Sequence, residues 1–345
     1  MAQEQHPRVA HRRRIGRTAL EVSALGLGTA PLGGLYRDLS EEEAQATVDA
    51  AWEAGIRFFD TAPHYGHTKA EHRLGAALRR YPRNEYVLST KVGRHFVPRT
   101  HPYDGSEGWQ NPLPFEAIFD YTRDGILRSF EDSQQRLGLV DIDILLVHDI
   151  GRYTHGERNE HYWRQLSDSG FKALDELRKA GAIKAIGFGV NEREVIREAM
   201  QEFDIDCALL AGRYTLLEQS PLDDLLPECE KKGVSILLGG AFNSGILAHG
   251  LLGELKFNYA DAPQEVVERV ARLDTICRTY DAPLAAAALQ FPYAHPAVAT
   301  VLNGARSAQE VRENVASFET NLPRELWLAL RDKGLLDPRA PLPQA

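Results

Sequence analysis

In this chain an aspartate, a lysine and a histidine each stand where an apolar run has just ended, and a tyrosine follows the first of them. Asp60 closes Ile56-Arg57-Phe58-Phe59-Asp60, and Tyr65 follows in a turn framed by Pro63 and Gly66. Lys91 ends Val87-Leu88-Ser89-Thr90-Lys91, and His148 ends Ile144-Leu145-Leu146-Val147-His148. Singly, each has an ordinary structural reading: a local cap, a rim aromatic, a snorkelling lysine, a hydrogen-bonded rim histidine. Jointly they suit proton transfer between an alcohol and a carbonyl. A phenol with a pKa of about 10 is a poor proton acceptor at neutral pH. A neighbouring ammonium favours the phenolate and is expected to lower that value, a carboxylate keeps the ammonium charged and aimed, and an imidazole bonds the substrate oxygen. The sequence carries no metal-ligand spacing and no Ser–His–Asp arrangement, so dehydrogenating an alcohol here calls for a hydride acceptor that side chains do not supply.

Such a constellation needs strands that end side by side. Eight short apolar runs, at 25–28, 56–60, 87–91, 142–148, 183–189, 207–211, 234–239 and 298–302, are continuous rather than alternating, as strands buried on both faces read. Amphipathic stretches separate them, at 69–80, 124–137, 171–180, 192–202, 222–232, 264–280 and 307–318, and after Ser40, an N-cap followed by Glu41, Glu42 and Glu43. Eight strands alternating with eight helices predict a parallel α/β fold, and the count and the 345-residue length favour the closed (β/α)8 TIM barrel over an open sheet. A β-hairpin at about 11–24, with Gly16-Arg17 in its turn, precedes the eight βα units at about 25–320. A tail at about 321–345 follows, running over the surface from Gly334. Long loops at 94–120 and 149–170 leave the C-terminal ends of the third and fourth strands, the face where such barrels keep their chemistry. No second composition regime interrupts the chain, so 1–345 reads as one domain.

Composition narrows the function. Lys and Arg total 40 against 49 Asp and Glu, a net charge of −9 that argues against binding nucleic acid through its phosphates. The three cysteines, Cys207, Cys229 and Cys277, form neither a disulfide framework nor a metal motif and suit a reducing cytoplasm. The polar, basic first 15 residues do not read as a secretory signal, and no apolar run is long enough to span a membrane. The expectation is a cytoplasmic enzyme with a small-molecule substrate, no metal, and no nucleic-acid or membrane partner; its oligomeric state is not readable.

With these residues in view the chain resembles the aldo-keto reductase superfamily over nearly its whole length. The resemblance rests on Gly26-Leu27-Gly28-Thr29, Asp60 to Tyr65, Ser89-Thr90-Lys91, Leu145-Leu146-Val147-His148, Gly189-Val190-Asn191, Tyr214-Thr215-Leu216-Leu217, and Gly304-Ala305-Arg306-Ser307 with Glu313-Asn314. It implies that Asp60, Tyr65, Lys91 and His148 are the catalytic tetrad. It also implies an NAD(P) cofactor, its nicotinamide stacked on Tyr214 and its carboxamide held by Asn191. Gly28, Thr29 and Asp60 would border it, Phe242, Asn243, Ser244 and Gly245 would lie near the pyrophosphate, and Gly304, Arg306, Glu310 and Asn314 near the adenosine. Two departures stand out. Val190 replaces a serine common before the carboxamide-binding Asn. Gly304 and Glu310 stand where NADP-preferring members carry basic residues, so NAD is the expected cofactor and NADP the alternative, with Arg306 as a counterargument.

Within the superfamily, Gly33-Gly34-Leu35-Tyr36, Asp60-Thr61-Ala62-Pro63-His64-Tyr65-Gly66 and Leu210-Ala211-Gly212-Arg213-Tyr214 are similar to the aldose 1-dehydrogenase group, which includes L-fucose, D-threo-aldose and L-galactose dehydrogenases and a pyridoxal 4-dehydrogenase. The implied reaction is oxidation of the anomeric C1 hydroxyl of an aldose such as L-fucose, a D-threo-aldose or galactose to a lactone. Alternatives are pyridoxal 4-dehydrogenase and reduction of small aldehydes. Further ones are a Schiff-base lyase or aldolase on Lys91, and a nucleotide-sensing regulatory subunit. Around the substrate, His64, Tyr65, His148 and Asp149 are expected to bond hydroxyls, with Arg213, and Phe96 and Trp109 to cover ring faces, with Trp163 and Phe242.

Overall fold

The eight apolar runs pair in parallel and close on themselves: β1 (Leu25–Gly28), β2 (Phe58–Asp60), β3 (Val87–Val92), β4 (Ile144–His148), β5 (Ala185–Val190), β6 (Cys207–Ala211), β7 (Ser235–Gly239) and β8 (Val298–Gly304). Each strand bonds its neighbours in sequence, and β8 returns to β1, giving the TIM-type barrel that the alternation predicts. The structure, a computed structural model, describes residues 8–253, 255–258 and 260–344.

Strand parity divides the core in two. Phe58, Val87, Ile144, Leu146, Ala185, Cys207, Leu209, Leu237 and Leu302 fill the barrel interior. Their immediate neighbours Phe59, Leu88, Leu145, Val147, Ile186, Leu210, Leu238 and Val301 face outward, into the shell between strands and helices. Because side chains alternate along a strand, Asp60, Lys91 and His148 share the parity of Phe58, Val87 and Ile144 and therefore point inward. The hairpin of Arg12–Arg14 and Glu21–Ser23 turns through Gly16, at φ +52°, and inserts Ile15, Leu20 and Val22 into the interior core, sealing the end opposite the site.

Helices lie where apolar spacing and caps place them. Ser40 accepts from the Glu43 amide while Glu43 reaches back to the Ser40 amide, a complete capping box on the helix Glu41–Glu53. Four segments differ from expectation. The loop at 149–170 is helical from Arg152 onward, as Arg152–His155, Gly156–Arg158, Asn159–Gln165 and a π-turn at Leu166–Gly170 that runs into Phe171–Lys179. Gln165 and Ser169 there accept from the amides of Tyr121 and Arg123, contacts with a distant segment that no local pattern reveals. The loop at 94–120 holds an antiparallel ribbon, Arg94–Pro98 with Phe115–Phe119. Leu284–Tyr293 is an extra helix, apolar and buried on nearly all sides and so without the two-faced period that marks a surface helix. The tail contains the helix Arg324–Asp332, and beyond it Leu335, Leu336 and Ala340 are buried rather than lying on the surface. None of the described helices is long and apolar enough to cross a membrane.

Candidate active site

Three adjacent strand ends deliver the polar cluster. Register pairs Asp60 with Ser89 and Lys91 with Leu146, which sets Asp60, Lys91 and His148 side by side at the C-terminal mouth. The Lys91 ammonium donates to Asp60 Oδ2 at 2.7 Å and to the Thr61 carbonyl at 2.9 Å, and the Ser89 hydroxyl donates to Asp60 Oδ1 at 2.7 Å. Gly189, inward on β5, makes room for the lysine stem: a Cβ there would lie 3.1 Å from Lys91 Cε. Lys91 and Asp60 are 1% and 2% exposed, so this is a desolvated charge pair whose geometry must be maintained.

Tyr65 is held from above by a backbone contact between two loops. A Cβ at Gly33 would lie 2.6 Å from Tyr65 C, and one at Gly66 2.2 Å from the Gly33 carbonyl oxygen, so both positions exclude side chains. The Lys91 ammonium lies 4.9 Å from the centre of the Tyr65 ring, which packs 6.1 Å from the His148 ring and 5.9 Å from Trp109. His64 stands edge-on to Trp109 at 5.3 Å and to His148 at 5.9 Å. Trp109 reaches the site on a segment bridged to Leu35, and Glu107 on the same segment bonds His67 at 2.6 Å.

Burial and charge set the protonation states. Burial pushes the Tyr65 phenol up; Lys91 pulls it down but does not win, and Asp60 adds to the rise, so the value stands above 10 rather than below it as expected from the sequence. Burial works against the Lys91 ammonium, yet Asp60 and Tyr65 carry it above its ordinary value. Burial, then the cations Arg94 and Lys91 and the ring of His64, hold His148 well below 6.5, so its imidazole is neutral near pH 7. Burial likewise keeps His64 neutral.

The other half of the mouth is bare. Parity points Gly28, Gly189, Ala211, Gly239 and Gly304 inward at the rim, so nothing larger than the Ala211 methyl enters the space beside Lys91 and Tyr65 from β1 or β5–β8 at these positions. A Cβ at Gly28 would meet nothing nearer than 3.9 Å, and one at Gly245 nothing within 4 Å. Thr29 Oγ1, Asn243 Oδ1 and Asn303 Nδ2 are buried around this half without partners. A flat, hydrogen-bonding ligand fits such a surface, and Asn191, partly exposed just past β5, borders it. Beyond Gly304, Glu310 accepts from the Arg306 amide at 2.8 Å and from its Nε at 2.9 Å, while Asn314 Nδ2 lies 3.5 Å from the Gly304 carbonyl. Phe242 is partly buried against the outer shell, Asn243 donates to the Gly212 carbonyl at 3.1 Å, and Ser244 and Gly245 follow with positive φ.

Two of the aromatic candidates are packed into the protein rather than open at the mouth. Tyr214 is fully buried, with Phe291 at 5.3 Å and His295 at 5.4 Å. Trp163 lies in the outer shell against Phe188 and Phe203 and donates to Glu202 at 2.8 Å, away from the mouth. Arg213 bonds Asn258 at 2.8 Å, and Phe96 sits on the ribbon with its ring 5.7 Å from His67. Ser89 and Arg94 were not singled out; Ser89 was legible as the inward residue one pleat below Lys91, whereas the Arg94 pairing with Asp149 left no mark in the sequence. Among the described residues no three His, Cys, Asp or Glu side chains gather as a metal site would require.

Comparison with known proteins agrees with this geometry. A pyridoxal 4-dehydrogenase from Microbacterium luteolum is 51% identical over 343 residues, spanning 96% of this chain and 99% of that protein. A D-threo-aldose 1-dehydrogenase from a Pseudomonas species is 39% identical over 322 residues, spanning 92% and 95%. Among solved structures, an aldo-keto reductase from Bacillus halodurans superposes with a TM-score of 0.74 at 27% identity, covering 95% of this chain and 97% of that one. The sequence pattern of the Aldo/keto reductase family matches residues 24–334, and the chain belongs to that family.

Proposed function

We propose that this chain is an NAD-linked dehydrogenase of cyclic hemiacetals, oxidising the ring-carbon hydroxyl to a lactone. The observation that supports it most is the two-part mouth: a phenol, a charged lysine–aspartate pair and a neutral imidazole on one side, and a surface stripped of side chains on the other. Aldo-keto reductases use NAD(P)(H), and a bound nicotinamide dinucleotide supplies the hydride acceptor. Asn191, Asn243, Gly245 and the rim around Gly28 and Gly304 are the residues that would hold it. Glu310 favours NAD, because it occupies the Arg306 guanidinium that a 2′-phosphate would need.

Tyr65, once it has lost its own proton to solvent, takes the proton of the hemiacetal hydroxyl and becomes the phenol again. Lys91 stabilises the phenolate that forms while the proton is away, and Asp60 keeps Lys91 charged and aimed. His148, being neutral, donates a hydrogen bond to the substrate oxygen without adding a charge that would oppose loss of hydride. Held charged by Asp60, Lys91 is not the free amine that Schiff-base chemistry needs.

The curated relatives act on pyridoxal and on D-threo-aldoses. In water both kinds of aldehyde close into ring hemiacetals, pyridoxal onto its own hydroxymethyl group, so a single reaction serves either. The 51% identity puts pyridoxal first, and aldoses oxidised at C1, such as L-fucose or galactose, second. The rings of Trp109, His64 and Tyr65 suit a flat substrate. The test is NADH formation from pyridoxal and from a panel of aldoses, by the parent protein and by Tyr65→Phe. The variant is expected to bind NAD+ normally and to turn over neither class; oxidation at near the parental rate would remove Tyr65 from its role.

A further inference from the structure

The proton-transfer scheme leaves one ionisable pair of the mouth without a task. Asp149 is the first residue after β4, immediately beyond His148, and its backbone is left-handed at φ +46°. That conformation is uncommon for a residue with a side chain, and here it accompanies a carboxylate turned toward the ring of His148, which itself points into the barrel. Arg94, 6% exposed at the start of the ribbon that leaves β3, bonds Asp149 Oδ2 and fixes the carboxylate. The same oxygen lies 3.5 Å from His148 Nε2, too far to take that nitrogen's proton as a good hydrogen bond. Asp149 Oδ1 receives no hydrogen bond from any described residue, and the side chain is 21% exposed although the neighbouring cations Arg94 and Lys91 are almost fully covered. Tyr65, His148 and Asp149 thus follow one another along the rim, and the last of them presents an acceptor to the mouth.

We propose that Asp149 is a specificity-determining residue, its Oδ1 accepting from the hydroxyl that lies nearest the reacting group of the substrate. The inference rests on the hemiacetal-dehydrogenase reading above and adds to it the group by which a substrate is recognised. Both proposed substrate classes carry such a hydroxyl: the C2 hydroxyl of an aldose, on the carbon bonded to C1, and the ring hydroxyl of pyridoxal, one carbon further from its reacting carbon. Simple aldehydes and alcohols do not. A fixed, charged acceptor that stays unpaired when the hydroxyl is missing penalises those molecules far more than a lost contact in an apolar pocket would. Arg94 acts through Asp149 and is a positioning residue: by engaging Oδ2 it keeps the carboxylate off His148 and leaves Oδ1 turned to the substrate.

The experiment compares kcat/KM for galactose with 2-deoxygalactose, and for pyridoxal with 3-deoxypyridoxal, using NAD+ and the parent protein, Asp149→Ala and Asp149→Asn. The parent is expected to favour the hydroxylated member of the pair it accepts by about 100-fold. Asp149→Ala is expected to bring the ratio within about 3-fold, mainly by losing the hydroxylated substrate. Asp149→Asn, which keeps the shape and one acceptor oxygen, should fall between, near about 10-fold. A merely structural role would depress both members in parallel and leave the ratio where it was, in either variant, and that result overturns the inference. Should the alanine variant not fold, an unchanged ratio in the asparagine variant does so alone. A parent that oxidises none of the four compounds defeats the hemiacetal reading and this inference with it, whereas an active parent with a ratio near 1 defeats only the inference.

Discussion

Substituting Glu310 should convert the cofactor preference, and its size follows from one ion pair. Glu310 sits in the first turn of the helix Ala308–Glu319, which Ser307 caps, and it grips Arg306 through the backbone amide at 2.8 Å, Nε at 2.9 Å and Nη2 at 2.8 Å. The side chains are 40% and 30% exposed, so breaking the pair should cost less than about 1 kcal/mol of folding stability. Its effect on a ligand is larger. As long as the carboxylate is present, a 2′-phosphate meets a cation already neutralised by its neighbour; in Glu310→Gln it meets a free guanidinium. At contact distance in a half-exposed site a unit charge is worth about 1–4 kcal/mol, and a value of about 2 corresponds to roughly 30-fold tighter NADP+ binding. NAD+ loses the carboxylate as acceptor for its 2′-hydroxyl, about 1 kcal/mol or roughly 5-fold. The NADP+/NAD+ affinity ratio should therefore move by about 100-fold, and the NADP+ gain should shrink as salt is added. Calorimetric titration of both dinucleotides into parent and variant at low and high salt reads this directly. A ratio that shifts by less than about 3-fold, or a gain indifferent to salt, would show that the adenosine end lies elsewhere.

Because burial raises the Tyr65 phenol while His148 stays neutral, oxidation should quicken about tenfold per pH unit from about pH 7 to 9, with no second loss of protonation-competent enzyme near 6.5. A kcat profile steepening to two protons below pH 7 would contradict the neutral His148. Lys91→Met strands the Asp60 carboxylate with only Ser89 as a side-chain partner and should lower unfolding stability by about 3–5 kcal/mol in urea; a loss below about 1 would mean the pair is not held as buried charges. Gly33→Ala drives a Cβ into the Tyr65 backbone, 2.6 Å from its carbonyl carbon, and should cut kcat by tenfold or more while far-UV circular dichroism stays unchanged.

What the sequence made legible was what strands encode. Each of the eight apolar runs became a barrel strand, and the polar residue ending the second, third and fourth arrived at one mouth because parallel strands in register carry their C-terminal residues to the same edge. What stayed hidden depended on partners far away in the chain. The π-turn at Leu166–Gly170 is accompanied by bonds to the Tyr121 and Arg123 amides, and the helix Leu284–Tyr293 is wrapped on nearly all sides, so neither shows a two-faced period. The direction of the Tyr65 shift needed the burial of the phenol, which residue identities alone do not give: they show the lysine that pulls the value down but not the lost water that pushes it up further. Tyr214 was placed as a stacking platform by resemblance, yet its packing on Phe291 and His295 is a tertiary fact.

Backbone strain marks the functional face independently of the tetrad. Ten non-glycine residues of the described chain have positive φ: Tyr36, His67, Thr68, Asn111, Asp149, Tyr214, Asn243, Ser244, Asn258 and Asp281. All except Asp281 lie on segments leaving the C-terminal ends of strands. Asn, Asp and His are the side chains that adopt this conformation most readily, but Tyr36, Thr68 and Tyr214 are not among them, and all three are on that face. At the opposite end, where helices return to strands and the same backbone is needed, the chain uses Gly55, Gly138, Gly181 and Gly233, all at positive φ and free of the Cβ penalty. The mouth uses glycine as well, at Gly34, Gly66, Gly93, Gly212, Gly240 and Gly245, so where Tyr36, Thr68 and Tyr214 accept a cost of order 1 kcal/mol each beside them, it is the side chain and not the turn that accounts for the residue.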